Sequence, residues 1–217
     1  MSGLAPARVV AVAPHPDDES LGCGGTLALH AERGDSVTVV WMTAGERGIP
    51  DRDPVETAHI RRSEARAGLA ALGVGDGRFL DLPDGQVGAH RGPGTDALGR
   101  VLAECAPGVV FAPHRDEAHP DHAATAAIAI DALRRHGDDN VILQGYEVWS
   151  PVGWPHHSED IDAVFERKLA AVECHRSQTA QVPYAQLVGG LSAYRGAMTL
   201  GCRHAESFVD IPWKEDQ

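Results

Sequence analysis

The stretch Val9-Val10-Ala11-Val12-Ala13-Pro14-His15-Pro16-Asp17-Asp18-Glu19 constrains this chain more than any other. A short Val-rich run without alternation reads as a strand buried on both faces, the kind found in parallel sheets. Pro14 and Pro16 stop it, because proline lacks the N–H that a ladder needs. Directly after the stop come His15, Asp17, Asp18 and Glu19, then a glycine-rich helix start. A strand end that feeds a helix is where open α/β sheets hold their ligands. Imidazole with carboxylate suits Zn²⁺, and a further carboxylate beside the ion can serve as its base. The plainer alternative is an acidic turn that caps a helix, with Ser20 as the N-cap.

A second cluster repeats the grammar. Gly108-Val109-Val110-Phe111-Ala112 reads as a strand, and Pro113-His114-Arg115-Asp116-Glu117-Ala118-His119-Pro120-Asp121-His122 follows it. One of His119 and His122 can complete a three-ligand site whose fourth position is left for water, as catalytic zinc requires. Alternation of strands with helices along the chain predicts an α/β fold. The expected form is a Rossmann-like open, mostly parallel sheet with helices on both faces, and one order open to such a sheet is 3-2-1-4-5. In that order the ends of strands one and four flank the topological switch point, so the two clusters meet.

The remaining pattern supplies expectations for each element. Strands are read at 8–13, 36–42, 78–82, 108–112, 141–148 and 207–211. Helices are read from Leu21 to Arg33, Val55 to Leu72, Thr95 to Cys105, Asp121 to Arg135 and Ile161 to His175, with Lys168 and Glu173 outward. Gly73 ends the second helix, and Pro83-Asp84-Gly85 is a turn signal. Arg61, Arg62, Glu64 and Arg66 read most simply as a solvated helix face. Gly22-x-Gly24-Gly25 lacks the Gly-x-Gly-x-x-Gly spacing of a dinucleotide loop, and the carboxylates before it would repel a pyrophosphate.

Bulk properties narrow the class. With 217 residues, a single domain over 1–217 is expected, and no linker, repeat or low-complexity segment divides it. Nineteen Lys+Arg against 31 Asp+Glu, a net −12, argues against nucleic acid as a partner. The 4 Cys show no Cys-x-x-Cys pairing, so neither a structural zinc site nor a disulfide framework is expected. Cys105 and Cys174 read as small buried apolar groups. With no basic leader and no apolar run of membrane-spanning length, the expectation is a soluble, cytoplasmic enzyme without a membrane span.

Pro14-His15-Pro16-Asp17-Asp18-Glu19 and His119-Pro120-Asp121-His122 resemble the paired motifs of the LmbE-like, or PIG-L, zinc-dependent de-N-acetylases. Thr43-Ala44-Gly45-Glu46, Arg61-Arg62-Ser63-Glu64-Ala65, Leu82-Pro83-Asp84-Gly85, His175-Arg176-Ser177-Gln178 and Ala205-Glu206-Ser207-Phe208 match weakly but in the expected order. The resemblance implies removal of an N-acetyl or other N-acyl group from a small N-acetylglucosamine-type conjugate. It implies His15, Asp18 and His122 as metal ligands, with Zn²⁺ as the cofactor and Fe²⁺ left open. It further implies Asp17 as general base and His119 as oxyanion partner and proton donor. Asp121 would orient His119, while Arg61 and Asp84 would hold substrate. A hydratase of an unsaturated carboxylic acid is the nearest alternative, since the family includes one and Arg47, Arg61, Arg62 and Arg115 are available to bind an anion. Homo-oligomerisation is left open.

Overall fold

A computed structural model describes residues 7–136 and 139–214. One seven-stranded sheet has the order β3-β2-β1-β4-β5-β7-β6. Its strands are β1 Arg8–Ala13, β2 Ser36–Trp41, β3 Asp76–Phe79, β4 Val109–Pro113, β5 Ile142–Tyr146, β6 His157–Asp160 and β7 Ala205–Asp210. The first five are parallel, in the order that sets the ends of β1 and β4 side by side. β7 pairs antiparallel with β5 and with β6 at the far edge.

Helices cover both faces. α1 Asp18–Gly22, α2 Gly24–Glu32, α3 Pro54–Leu72, α6 Phe165–Cys174, α7 Arg176–Thr179 and α8 Tyr184–Arg195 are interspersed with α4 Arg91–Cys105 and α5 Pro120–His136. Successive strand side chains point to opposite faces. Val9, Ala11 and Ala13 of β1 accordingly join one core with Leu27, Leu69 and Phe165 of α2, α3 and α6. Val10 and Val12 join another with Leu98 of α4 and Ile128 of α5. That double burial is why β1 is a continuous apolar run.

Several boundaries differ from the sequence expectation, each for a local reason. The first helix starts at Asp18 and is broken at Cys23, so Ser20 lies inside α1 and is no cap. β3 ends at Phe79, yet Leu80 and Leu82 still donate to the carbonyls of Trp41 and Met42 at the end of β2. Asp81, at φ 58, bends the ladder out of regular strand between them. α4 begins at Arg91, because proline is tolerated in a first turn and Arg91 Nε is tied to Asp131 of α5 at 2.7 Å. Cys105 and Cys174 are only partly buried; all four cysteines are free.

Lys168 is the largest departure. It was expected to point outward from its helix, but it is 1% exposed and forms an ion pair with Glu206 of β7. Its Nζ also donates to the Leu21 carbonyl at 2.7 Å, and Glu206 accepts the N–H groups of Gly25 and Thr26 at the start of α2. The pair therefore clamps the α1–α2 break against the sheet. Its charges reach one another through three elements, which no helical periodicity can display. Removing one member of a buried pair strands the other charge. Lys168→Met should lower the unfolding free energy in urea by about 3–5 kcal/mol, and Lys168→Met/Glu206→Gln should recover part of that loss. A loss under about 1 kcal/mol in the single variant would show the clamp to be dispensable.

Candidate active site

Because β1 and β4 are hydrogen-bonded neighbours, with Val9 opposite Val109 and Ala11 opposite Phe111, the loops at their carboxyl ends share one crevice. Asp17 occupies the turn into α1 with φ 136 and ψ −31, a conformation that L side chains rarely adopt. Strain of this kind is held only where the surroundings over-determine it. Here the Asp17 N–H donates to Glu19 Oε2 at 3.3 Å, and the same oxygen accepts Trp41 Nε1–H at 2.8 Å. Glu19 is fully buried and ties the turn to β2.

One carboxylate oxygen gathers the two motifs. Asp18 Oδ2 accepts the His15 backbone N–H at 3.0 Å and lies 3.1 Å from His15 Nδ1 and 3.3 Å from His122 Nε2. Burial disfavours a charge on Asp18, but His122 and His15 outweigh it and hold the carboxyl well below its ordinary value. Burial likewise opposes a charge on His15, yet Asp121, Asp18 and Asp84 hold that imidazole well above its own. His122 is completely buried and neither ring nitrogen has a hydrogen-bond partner among the described residues. An orphaned imidazole in a dry site needs a partner. His15, Asp18 and His122 offer one ligand atom each within 4.8 Å of one another, so two imidazoles and a carboxylate fit a divalent cation with an open position. A second such group is His15, His119 and Asp121; Asp17 belongs to neither.

Asp17 instead faces Arg61, whose Nη2 is 3.1 Å from Asp17 Oδ2. Burial drives the Asp17 carboxyl up to about 8, with the Arg61 cation pulling against it. The Arg61 guanidinium also donates to the carbonyls of Pro16 at 2.7 Å and Gly45 at 3.2 Å. A Cβ at Gly45 or Gly48 would collide with Nη1, so the glycines of the 43–48 loop make room for the cation. The simple reading of Arg61 as part of a solvated face is thereby overturned: it is 4% exposed. Arg62 does lie outside, over the Phe79 ring at 4.2 Å.

His119 lines the crevice, its ring 5.1 Å from that of His15 and 4.9 Å from that of His122. Burial lowers its pKa, and the neighbouring imidazoles add to the effect. Its Nδ1 accepts the Asp121 N–H at 3.2 Å, so the neutral ring carries its proton on Nε2. The Asp121 carboxylate does not orient His119, contrary to expectation. It accepts Gly85 N–H at 2.8 Å and Val87 N–H at 3.1 Å and lies 3.3 Å from His15 Nε2. Asp84 also reaches His15 Nε2, at 3.2 Å, while its other oxygen accepts Arg47 N–H at 2.9 Å. Burial opposes the Asp84 charge, but His15 and the Arg47 N–H hold its pKa at about 2.

The crevice encloses about 300 Å³ and is also lined by Arg47, Gln178, Trp149 and Tyr184. The last two came without a motif, since an aromatic residue in an irregular segment carries no spacing signal. Glu117 was missed although it sits inside the second cluster. Fully buried, it accepts the N–H groups of Val148 at 2.7 Å and Trp149 at 3.0 Å and lies 3.7 Å from His122 Nδ1. A carboxylate between two histidines was the available signal.

The family model described as PIG-L, GlcNAc-PI de-N-acetylase, matches residues 10–133. The chain is 30% identical over 227 residues to a diacetylchitobiose deacetylase of Thermococcus kodakarensis, across 94% of this chain and 83% of that one. It is 35% identical over 162 residues to a 1D-myo-inositol 2-acetamido-2-deoxy-alpha-D-glucopyranoside deacetylase of Kineococcus radiotolerans. That match covers 59% of this chain and 45% of the relative, so the chain spans under half of that relative's length. The structure of N,N'-diacetylchitobiose deacetylase from Pyrococcus horikoshii superposes with a TM-score of 0.83 and 28% identity, over 95% of this chain and 85% of that one. A 4-carboxy-2-hydroxymuconate hydratase from Pseudomonas putida shares the fold at TM-score 0.79 and 22% identity, over 96% and 98%.

His175 lies under the site, 1% exposed, 3.5 Å from Ser20 Oγ. Burial, reinforced by the Arg61 charge, lowers its pKa to about 3. The unfolded chain takes up that proton near pH 6.5, so this contribution to stability is complete above pH 6.5 and lost as pH falls towards 3. The unfolding free-energy advantage of the parent over His175→Gln should shrink by about 1.4 kcal/mol per pH unit between pH 6 and pH 4. An advantage independent of pH would mean that His175 is protonated in the fold.

Proposed function

The chain belongs to the LmbE-like, PIG-L family of GlcNAc-PI de-N-acetylases, and from that premise we propose that it hydrolyses the N-acyl amide of an N-acetylglucosamine-type substrate with the help of a divalent metal. Water adds to the acyl carbon, the C–N bond breaks, and a carboxylate and a free amine leave. The observation that carries this reading is the division of labour between adjacent aspartates. Asp18 converges with His15 and His122, whereas Asp17 stays apart from them against Arg61.

His15, Asp18 and His122 would hold the ion, with Zn²⁺ the first choice for such a ligand set and Fe²⁺ the second. When bound, it supplies Lewis acidity to the carbonyl and makes water more acidic. Asp17, whose charged form a bound cation would favour, takes the proton from the attacking water on its Oδ. The Arg61 guanidinium keeps that carboxyl aimed, being itself held by two carbonyls. Neutral His119 presents Nε2–H to the developing oxyanion, and the proton that Asp17 took from water passes to the departing amine. Asp121 acts one step back, by fixing the His15 ring and the 85–87 backbone. Asp84 holds the rim through Arg47 N–H and offers substrate hydroxyls an acceptor.

The hydratase reading would need cations free to take a substrate carboxylate. Arg61 is committed to three oxygens, Arg62 is outside, and Arg115 lines a different cavity, which leaves Arg47 alone at the crevice. The neutral sugar is therefore the better fit.

Metal-loaded protein given N-acetylglucosamine conjugates should release amine and acetate. Turnover of unsaturated polycarboxylates alone, with no amine released from any amide, would hand the case to hydration. Asp17→Asn should keep its metal by elemental analysis while kcat falls about 10²–10⁴-fold; loss of the metal would make Asp17 a ligand. Gly48→Ala pushes the Arg61 guanidinium away from Asp17. A small misplacement costs about 10²-fold in rate, so kcat should fall on that order with a melting midpoint close to the parent's. Unaltered kcat would remove Arg61 from the machinery.

A further inference from the structure

A second cavity, of about 270 Å³, adjoins the crevice, and Trp149 and Tyr184 line both. Its walls are aliphatic: Leu21, Leu187, Val188 and Leu191. Leu21 and Val188 belong to a small buried cluster beneath it, while Leu187 is 55% and Trp149 50% exposed. Large apolar side chains left in water beside a crevice of charged groups mark a surface that binds something apolar.

The cavity is preformed. Glu117 accepts the N–H groups of Val148, Trp149 and Ser150, which sets the loop carrying Trp149. Glu147, the one charged residue of its lining, is spent on a buried ion pair with Arg195 and on the Val152 N–H. Two buried carboxylates thus rigidify the segment after β5 while exposing no free charge to an occupant. Preorganisation of this kind lowers the entropy lost on binding.

Topology says which end of the substrate the cavity meets. The reacting groups stand at the ends of β1 and β4, in the middle of the sheet. Arg47 and Asp84 come from the chain after β2 and β3, on one side; Trp149 comes from the chain after β5, on the other. An amide placed over the centre sends its amine carrier one way and its acyl chain the other. The polar end, with Asp84 and Arg47, suits a hydroxylated sugar.

We infer that the cavity between the 148–151 segment and α8 is an acyl pocket, and that this protein takes N-acyl groups longer than acetyl, saturated chains of several carbons. This rests on the amidohydrolase reading above and extends it to the acyl side. Calorimetry on the metal-free protein with N-acetyl-, N-butanoyl- and N-hexanoylglucosamine reads the pocket without turnover. Each methylene buried there should tighten Kd about fourfold, from about 0.8 kcal/mol per CH₂. Leu187→Asp, at a half-exposed position of α8, should flatten the series with a melting midpoint close to the parent's. The same compounds given to metal-loaded enzyme should show kcat/KM rising along the series. Equal affinities would overturn the pocket, as would tightening along an alkyl glycoside series instead, or a preference for diacetylchitobiose over the hexanoyl compound. Tightening along the acyl series without release of amine from any of them would leave the pocket standing and refute the hydrolysis.

Discussion

A single oxygen of Asp18, set at the point where β1 and β4 end side by side, accepts the His15 N–H and faces imidazoles from both motifs. Every other feature of the site is arranged around that convergence. Asp17 can remain outside it only because its backbone adopts a strained φ, which turns its carboxylate towards Arg61. Arg61 in turn reaches Asp17 only through a loop whose glycines leave it space. The two adjacent aspartates therefore acquire opposite tendencies, Asp18 ionised among imidazoles and Asp17 pushed towards its neutral form by burial.

The chain buries many charges to build this site, and each is matched. Lys168 meets Glu206, Arg195 meets Glu147, and Glu117 is surrounded by backbone N–H groups. Such pairs add little net stability when well-packed apolar residues could replace them. Their use is positional. One clamps the break between α1 and α2 behind the ligands, and the others stiffen the segment that carries Trp149 into the crevice. His122, buried with neither ring nitrogen hydrogen-bonded among the described residues, has the carboxylates of Asp18 and Glu117 as its nearest polar neighbours, which supports a cation completing the set.

How legible this was differs from residue to residue. Asp53, Pro54 and Gly73 punctuate α3 with a cap, a first-turn proline and a left-handed stop, and the sequence expectation came within one residue of it. Alternation predicted a mostly parallel sheet, and the order of its five parallel strands is the one that brings the two motifs together. Lys168 was misjudged from periodicity, and Arg61 was turned inward by the resemblance alone, because each is buried by partners distant in the chain. Asp121 does meet His119, but through its backbone N–H, since the fold carries the 85–87 backbone and His15 to its carboxylate.

What the sequence determined by itself was chemistry and its address: buried strands, proline stops, and His and Asp at the carboxyl end of two of them. Local rules suffice there, because strand burial, helix punctuation and ligand type are written in neighbouring residues. Only the tertiary structure decided which aspartate faces the imidazoles, what Arg61 holds, and that Trp149 and Tyr184 join two cavities. These are matters of direction across the sheet. A side chain's direction depends on backbone angles such as the φ of Asp17 and on partners many residues away, and neither leaves a periodic trace.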